Sequence, residues 1–268
     1  MIIGELISTR RPQVFEAAKN GDGDLIRQLA KQQVEAGAHY LEVNSSSFGD
    51  REREIMKWFV GLIQDTVDVP LCIGSVHPEV LDTGLSLCHY GKPIVNAISC
   101  EEKRFNEVLP LVLKYKAMVL GLLMDDVCTA DTAEQRYTLA GQLINRLKEN
   151  GVAPQDIYLD LLLKPICLNA NAGQEVLRTI LMIKKDFPEV NFACNMSDIS
   201  FGLPNRNRIN RIFMIQLMTV GVQTFFLNPL DKGVQADLLI SRMLLGHDPY
   251  CCDFLNGYLK GLCSMADK

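Results

Sequence analysis

What most constrains this chain is an alternation. Short runs rich in β-branched and apolar residues occur at Ile2–Ile7, Tyr40–Asn44, Leu71–Val76, Pro93–Ile98, Met118–Leu123, Ile157–Leu163, Val190–Cys194 and Thr224–Leu227. Each is followed by a longer segment with helical periodicity. Leu25, Ile26, Leu29 and Val34 form one apolar stripe, stopped at Gly37. Ile55, Trp58, Phe59, Leu62 and Ile63 form a second, and Tyr137, Ala140, Leu143, Ile144 and Leu147 a third, which ends at Gly151. Further helices are expected at Glu101–Leu113, Gln174–Asp186, Asn207–Val220, Gly233–Leu245 and Tyr250–Leu262. Eight such units in 268 residues match the size of a (β/α)8 TIM barrel. The competing architecture is a doubly wound open sheet. The count of eight favours the barrel, as does the lack of a Gly-x-Gly-x-x-Gly fingerprint after the first run. No linker or low-complexity tract interrupts the pattern, so one domain over residues 1–268 is expected.

The net charge is −5 and no Lys/Arg cluster stands out, so nucleic acid is not an expected partner. The most apolar region, "LPLVLKYKAMVLGLLM", is broken by Lys114 and Lys116 and is too short and too charged to span a bilayer. The start, "MIIGELIST", has no basic region ahead of an apolar block, which argues against a secretory leader. The nine cysteines (72, 88, 100, 128, 167, 194, 251, 252 and 263) are odd in number and scattered, several of them inside apolar runs. Reduced thiols, mostly buried as small hydrophobes, and a cytoplasmic location are expected. The histidines are dispersed and no zinc-type spacing occurs, so no directly bound metal is expected.

A barrel carries its chemistry on the loops at the carboxyl ends of its strands. Those loops are expected at Ser8–Arg11, Asn44–Gly49, Gly74–His77, Asn96–Ser99, Met124–Asp131, Asp160–Ala172, Asn195–Pro204 and Asn228–Lys232. They gather Asn44, Asn96, Asp160, Asn195, Asp198 and Asn228, few of them charged and most able to donate and accept. Such a ring suits a flat heterocycle with alternating donors and acceptors. A carboxylate accepts two N–H groups side by side, so an Asp suits a guanidine-like edge, as in guanine or a pterin. Asp160, among the apolar residues of "DIYLDLLL", is costly to bury unless paired. Structural alternatives stay open: Asp160 and Asp198 as loop caps, Asn96 as a loop hydrogen bond, and Asn44, for which the structural role is favoured.

"IIGELI", "YLEVN", "IVNAIS" and "YLDLLL", followed by "NMSDISFGLPNRNRINRIF", occur in an order that resembles the pterin-binding methyltransferases. The resemblance covers essentially the whole chain, and "SFGLPNR-x-x-I-N-R" is its most specific part. It implies a (β/α)8 barrel, commonly a homodimer. The implied reaction moves a methyl group between N5 of tetrahydrofolate and the cobalt of a cobalamin carried on a separate corrinoid protein. Tetrahydrofolate or methyltetrahydrofolate is then substrate, and no corrinoid module is expected in this chain. The resemblance gives Asn96 and Asp160 the hydrogen bonds to the pterin ring. It gives Asn195, Ser197 and Asp198 one wall of the site, and puts Arg206 near it.

Two departures stand out. The third-strand motif of the family usually ends in an Asp that contacts the pterin, and "LCIGSV" has Gly74 there, leaving Ser75 or a water as substitute. The position that usually holds an Asn near N5 is Asp198. An Asp carries a proton if burial raises its pKa, which an amide does not. An ionised Asp198 stabilises a transiently cationic N5, which suits the direction that forms methyltetrahydrofolate during anaerobic demethylation, with Asp198 as the catalytic residue. Two rival readings are a dihydropteroate synthase-like enzyme and a non-catalytic folate-binding protein.

Overall fold

The computed structural model describes residues 1–127 and 130–263. Cys128, and with it part of the loop expected at Met124–Asp131, lies outside the described residues. Eight parallel strands close on themselves in sequence order: β1 (Ile2–Ser8), β2 (Tyr40–Asn44), β3 (Leu71–Gly74), β4 (Ile94–Ser99), β5 (Met118–Leu122), β6 (Ile157–Asp160), β7 (Asn191–Asn195) and β8 (Thr224–Leu227). The last strand returns to pair with the first, Phe226 opposite Ile3. The chain is a TIM barrel, not an open sheet.

The helices are α1 (Pro12–Asn20), α2 (Gly23–Glu35), α3 (Glu52–Gln64), α4 (Pro78–Ser86), α5 (Glu102–Lys114), α6 (Ala133–Glu149), α7 (Ala172–Asp186), α8 (Arg206–Thr219), α9 (Lys232–Leu244) and α10 (Cys252–Leu259). Among these, α1 and α4 carry no long stripe in the sequence. Each is a short helix opened by a proline, whose missing N–H is not needed in the first turn. The sixth strand stops at Asp160, short of the expected Leu163, because Leu162 turns into the left-handed region at φ 50°. The final helix starts at Cys252 because Tyr250 and Cys251 are also left-handed.

Strand side chains alternate between two environments. Those pointing out, such as Leu41, Val43, Leu71, Ile73, Val95, Ile157 and Leu159, join the core between strands and helices. Those pointing in build a second, smaller core from Ile3, Cys72, Ile94, Met118, Leu120, Ala193 and Phe226. This apolar plug fills the barrel below the carboxyl ends of the strands, so the next inward layer sits on an apolar floor. Of the described cysteines, Cys72, Cys100 and Cys194 are buried as expected, whereas Cys167 and Cys252 are exposed; all are free thiols.

Two strands slip register beside that upper layer. On β1, Gly4 faces Leu41 but Ile7 faces Val43; on β4, Asn96 faces Leu120 but Ile98 faces Gly121. Each strand carries one extra residue, a bulge that re-aims side chains at a barrel rim. The β1 bulge depends on Gln33 of α2, which is fully buried and accepts a hydrogen bond from Leu6 N at 3.0 Å. A Cβ on Gly4 would meet Gln33 Oε1 at 2.5 Å. Gly4→Ala is therefore expected to displace that oxygen, strand the Leu6 N–H and cost about 1–3 kcal/mol. Urea unfolding checks this; an unchanged midpoint would remove Gln33 from the support of the bulge.

Candidate active site

Above the apolar plug lies a cavity of about 440 Å³, open at the carboxyl ends of the strands. The inward layer that lines it continues the same alternation: Glu42 two residues after Tyr40, Gly74 after Cys72, Asn96 after Ile94, Asp160 after Tyr158 and Asn195 after Ala193. Ser75 and Asp198 complete the expected residues that reach it. Ser197 and Arg206 do not line it. The Ser197 hydroxyl donates to Asn195 Oδ1 at 2.9 Å, and its amide bonds the same oxygen at 3.1 Å. Arg206, at the start of α8, donates to the Ser197 carbonyl at 2.6 Å and to Ser200 Oγ at 3.2 Å. These residues shape the loop after β7 and fix how Asn195 and Asp198 are presented. With its Oδ1 held by Ser197, Asn195 has its amide N–H groups available to a ligand.

Ser75 has a similar internal commitment. Its hydroxyl donates to Glu52 Oε1 at 2.6 Å and accepts from His77 N at 3.0 Å, so it is not a substitute for a carboxylate at position 74. Asn44, for which a structural role was favoured, does both jobs: its Oδ1 caps Ser46 N at 3.1 Å, and the residue lines the cavity. Asp160 also combines the two readings. Its Oδ1 accepts from Leu162 N at 2.9 Å, the loop cap, while the residue faces the cavity. Arg136 of α6, almost fully buried, steadies that loop by donating to the Leu161 carbonyl at 3.1 Å and the Asp131 carbonyl at 2.9 Å.

Sequence reasoning passed over Arg104 and Glu42. Arg104, on α5, staples two strand ends together, donating to Ala97 O at 2.9 Å, Ser75 O at 2.8 Å and Val76 O at 2.6 Å. Nothing in the sequence marks it, because its partners are backbone carbonyls 7 to 29 residues away. Glu42 had a signal: it shares the period-two register of Asn44, so a closed barrel forces it inward.

The electrostatics follow from this crowding. Desolvation lifts the Glu42 pKa to about 7, with help from the negative charges of Glu5 and Asp160 and opposition from Arg10 and Arg11. Desolvation also lifts Asp160 to about 6, with Asp198 adding to the rise. Asp198 stands at the solvent-reached rim, yet its surroundings still raise its pKa through desolvation, against the pull of Ser197, Arg10 and Arg206. Several carboxyls thus face one small space with few cations among them. Such a site is complementary to a neutral or cationic ligand rich in N–H donors.

Comparison with known proteins fits this geometry. Residues 12–227 match the family model for pterin binding enzymes. The chain belongs to the pterin-binding enzyme family. It is 28% identical over 264 residues, 97% of each chain, to a methylcorrinoid:tetrahydrofolate methyltransferase of Eubacterium limosum. It is 28% identical over 293 residues to a methionine synthase of Mycobacterium leprae, of whose length it spans 24%. Among solved structures it is similar to dihydropteroate synthases. For that of Xanthomonas albilineans in complex with 7,8-dihydropteroate the TM-score is 0.70 at 13% identity, over 91% of this chain and 93% of that one. For that of Yersinia pestis with a pterine-sulfa conjugate it is 0.65 at 16%, over 91% and 94%. These structural likenesses show the barrel fold.

The raised pKa of Glu42 has a stability consequence for the ligand-free enzyme. A carboxyl whose pKa rises from 4.5 to about 7 on folding contributes fully below 4.5 and loses that contribution as pH climbs through 7. Glu42→Gln keeps the shape and removes the charge. It is expected to raise Tm at pH 8 by about 2–5 °C, with little change at pH 5. Scanning calorimetry at the two pH values checks it; equal shifts at both would contradict the burial of a charged Glu42.

Proposed function

We propose that this pterin-binding enzyme is a methylcorrinoid:tetrahydrofolate methyltransferase that forms methyltetrahydrofolate. The observation that carries the reading is the joint placement of Asn96, Asp160, Asn195 and Asp198 on one cavity at the strand ends. The relative of that name aligns over nearly the whole of both chains.

In this reading the Asp160 carboxylate accepts the 2-amino and N3–H groups of the pterin, its cost of burial offset by charge-assisted hydrogen bonds. Asn96 and Asn195 fix the ring in plane. Asp198 stands by N5. The N5 lone pair attacks the methyl carbon, the new N–C bond forms as the cobalt–carbon bond breaks with its electron pair left on cobalt, and N5 then gives up its proton. Asp198, with its pKa raised by desolvation, accepts that proton and stabilises the cationic nitrogen as it forms. A partner-borne corrinoid must approach from the open mouth. Exposed apolar side chains of the strand-end loops support that route: Val76 after β3, Val127 after β5, Leu168 after β6 and Phe201 after β7.

The test mixes the chain with methylated corrinoid protein and tetrahydrofolate and follows the methylcobalt absorbance. Loss of that absorbance with formation of methyltetrahydrofolate supports the reading; folate binding without turnover supports a non-catalytic binder. Asp198→Asn is expected to lower kcat about 10- to 1,000-fold and to flatten the acidic limb of the pH–rate profile. An unchanged profile removes Asp198 from proton transfer. Asp160→Asn is expected to weaken tetrahydrofolate binding about 10- to 100-fold by calorimetry.

A further inference from the structure

Glu42 and Gly74 lie on adjacent strands, Gly74 two residues beyond Cys72, the register partner of Glu42. A Cβ built on Gly74 would lie 3.6 Å from Glu42 Oε1, 3.6 Å from Asn96 Nδ2 and 3.2 Å from Asn44 Nδ2. The carboxylate of Glu42 therefore borders the space that a side chain from β3 would enter. Its Oε1 takes one long hydrogen bond from Asn96 Nδ2, at 3.4 Å. A carboxylate accepts several, so Glu42 keeps capacity for a ligand. The hydroxyl of Ser75, the residue after Gly74, is turned to Glu52.

We propose that Glu42 recognises the N8–H edge of a bound tetrahydropterin, supplying from β2 the acceptor that β3 lacks at Gly74. The proposal rests on the tetrahydrofolate reading above and adds a residue to it. The polar groups of ligand and barrel run in matching order. Around the rim of a tetrahydropterin the polar groups run N8–H, N1, the 2-amino group with N3–H, O4 and N5. Around the barrel the inward groups run Glu42 on β2, Asn96 on β4, Asp160 on β6, Asn195 at the end of β7 and Asp198 just after it. Each pair is complementary: a carboxylate for N8–H, an amide N–H for N1, a carboxylate for the two donors, an amide N–H for O4 and a carboxyl for N5. The reversed direction would set Glu42 against N5 and Asp198 at N8–H; the proposed reaction, which needs Asp198 beside N5, selects the first. The field at Glu42 is set by Glu5, Arg10 and Arg11 of the first strand and loop and by Asp160, and donors from the ligand relieve its net repulsion.

The experiment is isothermal calorimetry with tetrahydrofolate and with its 8-deaza analogue, in which a CH₂ group replaces N8–H. Glu42→Met keeps the volume and removes the acceptor. It is expected to weaken tetrahydrofolate binding about 10- to 100-fold and to change binding of the 8-deaza analogue by less than about threefold. A second variant pair guards against a packing effect. Adding Gly74→Asp to Glu42→Ala is expected to recover at least about tenfold of the affinity that Glu42→Ala loses, because the new carboxylate enters the vacated space. If Glu42→Met binds both ligands as the parent does, or loses both equally, the inference is overturned while the folate reading stands on Asp160→Asn. If the parent chain binds neither ligand, both are overturned.

Discussion

Closing eight parallel strands into a cylinder leaves each inward side chain no freedom to turn away. That constraint governs the rest of the molecule. Below the rim it is satisfied by an apolar plug that includes Ile3, Cys72, Ile94, Leu120, Ala193 and Phe226. At the rim the same two-residue period delivers Glu42, Asn96, Asp160 and Asn195 to one cavity, with Gly74 as the gap between them. Carboxyls held over an apolar floor cannot be fully hydrated, and their pKa values rise together. The ligand-free site is thus held in a state that donor groups of a ligand would improve.

Around this layer the chain invests in loop control. Ser197 and Arg206 hold the turn after β7, Arg136 the turn after β6, and Arg104 ties the ends of β3 and β4 to α5. Each uses a charged or hydroxyl group on backbone carbonyls or on a neighbouring amide. Such bonds hold the geometry of the site, and of these side chains only Arg104 also lines the cavity. The bulges on β1 and β4 belong to the same design, since they alter side-chain direction just where Asn96 and the Ser8–Arg11 loop approach the mouth.

The sequence carried the architecture because strands and helices alternated with clear apolar periods. The short helices α1 and α4 were less legible, since nine residues opened by a proline leave little periodicity to read. Asp160 was legible because a carboxylate inside "YLDLLL" demands a partner. Glu42 was legible only through its register with Asn44, because a Glu between Leu41 and Val43 by itself reads equally well as the wet face of a half-exposed strand. Only closure of the barrel decides between the two faces. Ser75 shows the converse: it sits at the cavity, yet its hydroxyl is turned aside by Glu52, a residue far from it in sequence and unmarked there.

In the proposed function, donor groups of a reduced pterin replace protons on the carboxyls of the rim. Titrating tetrahydrofolate into the protein at pH 6.5, in buffers with different ionisation enthalpies, measures it most directly. Binding heats are expected to depend on the buffer, with release of roughly one proton for each folate bound. Binding with no buffer dependence, or no binding, would contradict it.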